Sequence, residues 1–369
     1  QIGGLTVAER NVISANGFPA NNGGIFVAGA QATGNRFYGN FIGTDINGQS
    51  ALPNRFEGIY VVGANSNVIG SELPGGGNLI SGNTLRGIRI TNSMGGVIRG
   101  NLIGTKSDGV SALPNAQFGV ELEQNSSGNS VGGTLAGAGN RIGFNGGSLY
   151  AGVRVRDSST NNSILGNAIF SNAALGIDLS GAGVSGNDGC DGDLGGNMQQ
   201  NFPVLTQAYS GANLGVRGTL NSAANTTFRV QFFASPTCDP TGNGEGQTYL
   251  GDILVTTGGA CSNGFVATLP VSVAAGQVVT TTATDPANNT SEFSACRVVL
   301  PAPQLSLTPA GSNHMSLAWT NTAPGFVLKE TSALTPPVNW TTVTNVPVVL
   351  AGQFTVALTR QPGNWFYRL

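Results

Sequence analysis

The sequence has 369 residues, among them 57 glycines, with 9% charged residues and a formal net charge of −2. An apolar content of 40% is enough to build a core, which excludes an intrinsically disordered chain. The only lysines are Lys106 and Lys329, so the composition offers no basic surface for nucleic acid or an anionic membrane. No apolar run is long enough to span a bilayer.

The first part of the chain repeats a block of residues. Residues 39–54, GNFIGTDINGQSALPN, return as residues 100–115, GNLIGTKSDGVSALPN, at an offset of 61 residues. A shorter element, Gly followed by an apolar-x-apolar triplet, begins at Gly24, Gly58, Gly87, Gly119, Gly152 and Gly176. Repeats spaced in this way are typical of stacked units that bury their apolar faces against one another.

The repeated unit is predicted to be a strand, because its apolar residues alternate with period two. A second element, Asn-x-apolar-x-x-Asn, begins at Asn11, Asn35, Asn78, Asn140 and Asn162. Asn and Gly tolerate left-handed backbone conformations and so mark corners where strands turn. Short strands and Gly/Asn corners predict a parallel β-solenoid, in which we expect the Asn residues to form internal side-chain ladders.

These motifs resemble the right-handed parallel β-helix repeats of large secreted bacterial proteins, over residues 1–200. Residues 201–300 alternate apolar and polar runs between Gly/Asn/Pro turns, which predicts an antiparallel sandwich similar to the module that often follows such β-helices. Residues 301–369 are similar to small immunoglobulin- or fibronectin-like modules. The expected architecture is all-β, with a solenoid followed by two sandwiches. Trp319, Trp340 and Trp365 are the expected core of the last one.

Four cysteines favour one or two disulfides and an extracytoplasmic location, and alone they allow three pairings. The chain begins at Gln1, within a repeat, which we interpret as a product whose leader has been removed. Residues 232–239 and 283–294 look like parts of the sandwich module that often follows such β-helices. Cys238 and Cys296 lie in or beside these segments, so the resemblance implies a bridge between them. Cys190 would then pair with Cys261.

Charged residues follow one face of the predicted solenoid. The outward position of each Gly-apolar-x-apolar element is occupied, along the stack, by Phe26, Tyr60, Arg89, Glu121, Arg154 and Asp178. Adjacent coils lie about 4.8 Å apart, so the aromatic rings should stack and opposite charges should pair. Glu123 and Arg156 repeat the pairing two residues further on. We expect surface ion pairs that set the register; the alternative is a catalytic groove of Arg89, Glu121, Arg154 and Asp178, as in polysaccharide-cleaving relatives.

Asp188, Asp191 and Asp193 offer closely spaced oxygen ligands of the kind that Ca²⁺ prefers, although ordinary turn chemistry also explains them. The loop 44–48 looks similar, but Lys106 replaces Asp45 in its second copy, so Asx turns are the better explanation. The single histidine, His314, lies far from any acidic cluster in sequence. This excludes a Ser-His-Asp or metal-histidine site in the solenoid.

Three functions fit the sequence. The first is a non-enzymatic extracellular structural or adhesive protein. The second is a polysaccharide lyase or glycoside hydrolase, and the third is a carbohydrate-binding module. The expected partners are a surface polysaccharide and the protein itself. Head-to-tail assembly into a surface filament would use strand addition by Gln1 and Ile2 or by Trp365, Phe366 and Tyr367. No cofactor is expected apart from calcium.

Overall fold

The computed structural model describes residues 1–17, 23–147, 149–179, 183–321 and 326–369. These residues form two compact units, Gln1–Leu300 and Pro301–Leu369. Nearly all of the regular structure is β-strand, joined by the short 3₁₀ turns Val7–Glu9 and Gly196–Gln199. Among the described residues, no helix has the length and apolarity needed to cross a membrane.

The first part of the larger unit is a parallel β-helix made of three six-stranded sheets. Sheet A contains Ile2–Gly3, Arg36–Tyr38, Val68–Ile69, Val97–Ile98, Ser130–Gly132 and Ser163–Leu165. Sheet B contains Val12–Ile13, Phe41–Ile42, Leu79–Ile80, Leu102–Ile103, Arg141–Gly143 and Ala168–Phe170. Sheet C contains Ile25–Ala28, Ile59–Val62, Ile88–Thr91, Val120–Glu123, Val153–Val155 and Ile177–Asp178. Each coil of chain adds one parallel strand to each sheet, as the repeat spacing predicts.

The solenoid core is a column of stacked aliphatic side chains. In sheet C, the aligned positions are Ile25, Ile59, Ile88, Val120, Val153 and Ile177, all buried. A strand of two to four residues cannot bury enough apolar surface alone, so each coil depends on its neighbours for stability. The period-two alternation in the sequence therefore identified the inward face correctly.

Asparagine ladders hold the corners of the coils together, as expected from the sequence. In one ladder, the Asn78 amide Nδ2 donates to Asn101 Oδ1 at 2.9 Å, and Asn101 Nδ2 donates to Asn140 Oδ1 at 2.9 Å. A second ladder runs through Asn54 and Asn83, again at 2.9 Å. These amides are buried, and each also bonds backbone groups of adjacent coils. The ladders thus satisfy corner backbone groups that the sheets leave unpaired.

The antiparallel part of the larger unit consists of two four-stranded sheets. One contains, in spatial order, Ser262–Leu269, Leu214–Asn221, Val204–Ser210 and Leu300–Pro301. The other contains Thr248–Thr256, Thr227–Ser235, Val278–Thr284 and Arg297–Val298. Their shared core includes Phe228, Phe232, Val216 and Val279, all buried, as expected of a sandwich.

This sandwich closes the last coil of the solenoid. Phe233 and Phe293 pack into the solenoid core, and Gly246 forms an isolated bridge with Ile169. Its side chains also accept hydrogen bonds from backbone N–H groups of the last coil. The acceptors are Gln231 for Gly166, Asn289 for Asn161, Thr290 for Ile164, Glu245 for Asn172 and Glu292 for Leu179. The sandwich therefore supplies the hydrogen-bond acceptors that a further coil would provide for these backbone N–H groups.

Two disulfides stabilise this end of the unit. Cys190 is bonded to Cys261, and Cys238 is bonded to Cys296. These are the two pairs that the sequence resemblance implied. The first joins the segment that follows the solenoid to the sandwich, and the second lies within the sandwich.

The smaller unit is also antiparallel. Its four-stranded sheet contains Ser306–Pro309, His314–Thr320, Gln353–Thr359 and Val348–Leu350. Its three-stranded sheet contains Thr341–Thr342, Lys329–Thr331 and Phe366–Arg368. Trp319 is buried in the core, whereas Trp340 and Trp365 are partly exposed, so the expectation of a three-tryptophan core was wrong. Trp340 is instead covered by the Arg368 guanidinium, 4.3 Å from the ring centroid.

Candidate functional site

The predicted charged face lies on the outer side of sheet C. The strand register aligns Phe26 with Tyr60, Tyr60 with Arg89, Arg89 with Glu121, Glu121 with Arg154, and Arg154 with Asp178. This is the order predicted from the sequence. The rings of Phe26 and Tyr60 lie 5.4 Å apart. The predicted face and the predicted order of residues along it are therefore confirmed.

The carboxylates of this face are buried, which corrects the prediction of surface ion pairs. Glu121 is 1% exposed and Glu123 is 0% exposed, because arginine side chains from neighbouring coils lie over them. The arginines remain partly exposed, with Arg156 at 33%. A buried carboxylate that loses its partner costs far more than an exposed one. The network therefore matters more to stability than surface pairs would.

Glu123 is the most fully engaged of these carboxylates. Arg89 Nε donates to its Oε1 at 2.7 Å, Thr91 Oγ1 donates to the same oxygen at 3.1 Å, and Arg156 Nε donates to Oε2 at 2.9 Å. Burial opposes ionisation of Glu123, but the hydrogen bonds from Arg156 and Arg89 outweigh it, and its pKa lies below the ordinary value. Glu123 is therefore held as a carboxylate.

Glu121 is shared among several arginines. Arg86 Nε donates to its Oε2 at 2.7 Å, while Arg154 Nε and Arg156 Nε lie 3.7 and 3.5 Å from Oε1. The expected pair of Glu121 with Arg154 is thus within ion-pair distance but forms no hydrogen bond, and the shortest contact of Glu121 is with Arg86. Arg86 also lies 3.4 Å from Glu57.

Sequence reasoning missed Glu57 and Arg86 because they lie outside the Gly-apolar-x-apolar elements. Each immediately precedes a repeat glycine, Gly58 or Gly87, at the corner leading into sheet C. Charged residues are scarce in this chain, so a charge beside a repeat glycine was a usable signal. The corner position lets both side chains reach over the sheet and join the network.

Aromatic rings support the arginines. Arg89 lies over the Tyr60 ring at 4.8 Å from the centroid, and Arg154 lies over Phe118 at 4.7 Å. Such contacts favour the charged, flat guanidinium and fix its orientation. The face is thus a compensated network of arginines and carboxylates, arranged for packing between coils. Its ion pairs can fix the register of neighbouring coils and stabilise their stacking.

Two more buried carboxylates, not foreseen from the sequence, lie where the sandwich closes the solenoid. Glu245 is 7% exposed and accepts from Asn172 N at 3.0 Å and Asn172 Nδ2 at 2.9 Å, which places it at the end of an asparagine ladder. Glu292 is 2% exposed and accepts from Leu179 N at 2.9 Å and Ser185 N at 2.9 Å. Burial raises the pKa of each to about 7, against the effect of these hydrogen bonds.

The structure brings Asp188, Asp191 and Asp193 together, with one carboxylate oxygen from each within 4.8 Å of the others. Asp193 Oδ1 is buried and lacks a hydrogen-bond partner among the described residues. Asp191 accepts from Gln200 Nε2 at 2.6 Å and from Ser222. Burial raises the pKa of Asp191 to about 6, and the charges of Asp193 and Asp188 act in the same direction. A hard cation would relieve both the unpaired oxygen and the repulsion, so the donor set fits calcium.

The repeated hairpins are turns closed by their own aspartates, as expected. Asp45 Oδ1 accepts from Gln49 N at 2.7 Å and Ser50 N at 3.1 Å. Asp108 Oδ1 accepts from Val110 N and Ser111 N, both at 2.8 Å. The bond from Val110 closes an Asx turn at Asp108. A side-chain hydrogen bond from Ser111, together with these backbone hydrogen bonds, lowers the pKa of Asp108 to about 2.

The residues proposed for assembly occupy sheet edges. Ile2 lies in an outer strand of sheet A, next to Gln1, and is 40% exposed. Phe366 and Tyr367 lie in the outer strand of the three-stranded sheet in the smaller unit, directly after Trp365. His314 is exposed in that unit and lies in a strand of the four-stranded sheet.

Comparison with known proteins assigns no family to the chain and no function to these residues. A scan against models of protein families finds no match for the chain. A search of curated proteins finds no similar sequence.

Proposed function

We propose that the protein is a non-enzymatic extracellular structural or adhesive protein whose solenoid acts as a rigid spacer. The observation that carries the proposal is the state of the charged face on sheet C. Its carboxylates are buried under arginines and bonded on both oxygens in Glu123. A face built in this way supports the stack and offers a substrate little to react with.

The same observation weighs against the enzymatic alternative. A glycoside hydrolase needs a carboxylic acid with a raised pKa that can reach the substrate, together with a second carboxylate. Glu121 and Glu123 are buried, and the pKa of Glu123 is lowered rather than raised. A lyase would need a free arginine or lysine base, but Arg89 and Arg154 are ion-paired and lie against rings.

Incubation with pectin, alginate and similar polymers is therefore expected to leave polymer length unchanged. The measurement is the size distribution of each polymer before and after incubation, by light scattering and by reducing-end assay. The matched variant is Arg154→Ala, which removes one arginine of the charged face. Turnover by the native protein that disappears in Arg154→Ala would refute the proposal and support the groove of Arg89, Glu121, Arg154 and Asp178.

The extracellular location is part of the proposal. Two disulfides, Cys190–Cys261 and Cys238–Cys296, persist best in oxidising compartments. Head-to-tail assembly into a filament is also proposed, by strand addition at the sheet edges that contain Ile2 or Phe366. Negative-stain images of the native protein should then show molecules joined end to end.

Calcium is the one ligand that we propose for the acidic loop of Asp188, Asp191 and Asp193. Adding Ca²⁺ at about 100 times its dissociation constant is expected to stabilise the folded protein by about 2.7 kcal/mol. The measurement is thermal unfolding with Ca²⁺ and with a chelator. Asp193→Asn should abolish the difference, whereas Asp157→Asn, an exposed acid on the solenoid, should retain it. An equal response in both variants would assign the effect to another site.

A further inference from the structure

A groove runs along the outer face of sheet B, on a different side of the solenoid from the charged network. Its floor follows the aligned positions Phe41, Leu79, Leu102, Arg141 and Ala168 of successive strands. Leu79 is buried, and the other four are partly exposed. Two neighbouring depressions share this floor. Leu102 borders the first and Arg141 borders the second, and these two residues are register partners. The two depressions therefore lie next to each other along sheet B.

Repeated loops form the two walls. On one side are the glycine-rich segments 75–77 and 133–139. On the other are the two aspartate-closed hairpins, represented by Ile46, Asn47 and Ser107. The hairpins lie close to the floor: a Cβ added to Gly48 would come within 2.5 Å of the Leu79 side chain. The walls are therefore fixed by packing and by the coil repeat.

Two arginines lie in this groove. The Arg10 guanidinium lies over the Phe41 ring, 4.0 Å from its centroid, and its Nε donates to Gly39 O at 3.2 Å. Arg141 Nε donates to Gly109 O at 2.8 Å. In the described part of the chain, neither guanidinium is within ion-pair distance of a carboxylate. Each thus keeps its terminal nitrogens for another acceptor.

The acids around the groove are already engaged. Glu72, which precedes the glycine-rich segment 75–77, pairs with Arg99 at 2.8 Å. Asp45 and Asp108 accept hydrogen bonds from the amides of their own hairpins. Glu9, beside Arg10, accepts from Thr6 N at 3.0 Å. None of these carboxylates pairs with Arg10 or Arg141, and these two arginines are the charged residues among the side chains that line the two depressions.

The spacing of these charges suits an extended polymer. Phe41, under Arg10, and Arg141 are separated by three coil steps, or about 14 Å at one strand spacing per step. Arginine binds carboxylates through two parallel hydrogen bonds and also packs against flat rings. A ligand with carboxylates on a chain of rings would match both guanidiniums and the half-buried Leu102 between them.

We infer that the sheet B groove, with Arg10 and Arg141, binds an acidic polysaccharide of the uronic-acid class. A peptide fits less well, because the floor is the face of a sheet whose backbone groups are used in parallel pairing. Peptides usually bind sheets by adding a strand at an edge. This inference names a ligand class for the proposed adhesive role. It rests on the proposed function only because it takes the polymer to be bound without being cleaved.

The test is binding of polygalacturonate to the full chain, measured by calorimetry. Arg10→Gln and Arg141→Gln are each expected to weaken binding by about tenfold or more, because each removes a charge-assisted contact. The matched control is Arg36→Gln, an exposed arginine on sheet A, which should bind like the native chain. Circular dichroism establishes whether each variant is folded. If Arg141→Gln does not fold, Arg10→Gln alone tests the inference.

Two further ligands make the outcome decisive. Fully methyl-esterified pectin, which lacks the charges, should bind at least about tenfold more weakly than polygalacturonate. Polyglutamate supplies charges without rings and should also bind more weakly. No binding of polygalacturonate, unchanged binding in both arginine variants, or equally tight binding of polyglutamate would overturn the inference. Shortening of the bound polymer would contradict the non-enzymatic function while leaving the groove assignment intact.

Discussion

The larger unit is expected to lose stability as the pH rises from about 5 to about 8. Glu245 and Glu292 have pKa values of about 7 in the folded protein, because both are buried where the sandwich closes the solenoid. In the unfolded chain both would titrate near the ordinary value of 4.5. Their protonated forms therefore stabilise the fold below pH 4.5, and this contribution is lost as the pH rises through 7. Each group contributes roughly 3 kcal/mol at most.

Acidification below about pH 4.5 acts in the opposite direction through Glu123. Its pKa is lowered in the folded protein, so its contribution is present above the unfolded value of 4.5 and is lost as the pH falls through the folded value. Maximum stability is therefore expected at mildly acidic pH. The measurement is urea unfolding at a series of pH values, with a chelator present so that calcium at the acidic loop does not contribute.

Glutamine variants distinguish the effect of Glu245 and Glu292 from that of other titrating groups. Glu245→Gln and Glu292→Gln keep a carbonyl oxygen as acceptor for the backbone donors but no longer titrate. The double variant should show a much flatter dependence on pH between about 5 and 8. Glu330→Gln, in the smaller unit, is the control and should leave the dependence unchanged. A native profile that rises steadily from about pH 5 to 8 would refute this account.

Removal of the Glu123 carboxylate is expected to cost about 3–5 kcal/mol in the free energy of unfolding. The variant Glu123→Ala leaves Arg89, Arg156 and the Thr91 hydroxyl around a buried position without their shared acceptor. Buried ion pairs behave in this way because the remaining charges keep their desolvation cost and lose their partner. The measurement is denaturant unfolding at neutral pH.

The matched control for Glu123→Ala is Glu72→Ala. Glu72 also pairs with an arginine, Arg99, at 2.8 Å, but both side chains are partly exposed, at 28% and 30%. Its loss should cost less than about 1 kcal/mol. Similar losses in the two variants would mean that burial does not distinguish the sheet C network from an ordinary surface pair. The interpretation of that face as the structural support of the stack would then be wrong.

Local repetition explains how much of the fold was predictable. Gly58, Gly87 and Gly119 each precede an apolar-x-apolar triplet, and this pattern alone sets strand, face and register. The order of Tyr60, Arg89 and Glu121 along sheet C followed from the same pattern. Because every coil repeats the preceding one, a local rule applied to one strand describes the next.

The burial of the charged residues was not predictable in the same way. Whether Glu121 is exposed depends on where Arg86 and Arg156 place their long side chains, and the period of the repeat carries no information on this. The same holds for Glu245 and Glu292, which lie in the sandwich, about 70 and 110 residues from the coil that they bond. Contacts between the repeat and a non-repeating segment have no internal copy from which to be inferred.

The asparagine ladders make the length of the solenoid adjustable in whole coils. Gly39 and Gly100 begin copies of the same block, two coils apart, so removing residues 39–99 would join equivalent positions. Asn40 would be replaced by Asn101 in the same ladder, and the sandwich would still meet its own last coil. The length of the solenoid therefore changes in steps of about 4.8 Å. Variants that differ by complete coils would therefore keep the same contact between the sandwich and the last coil.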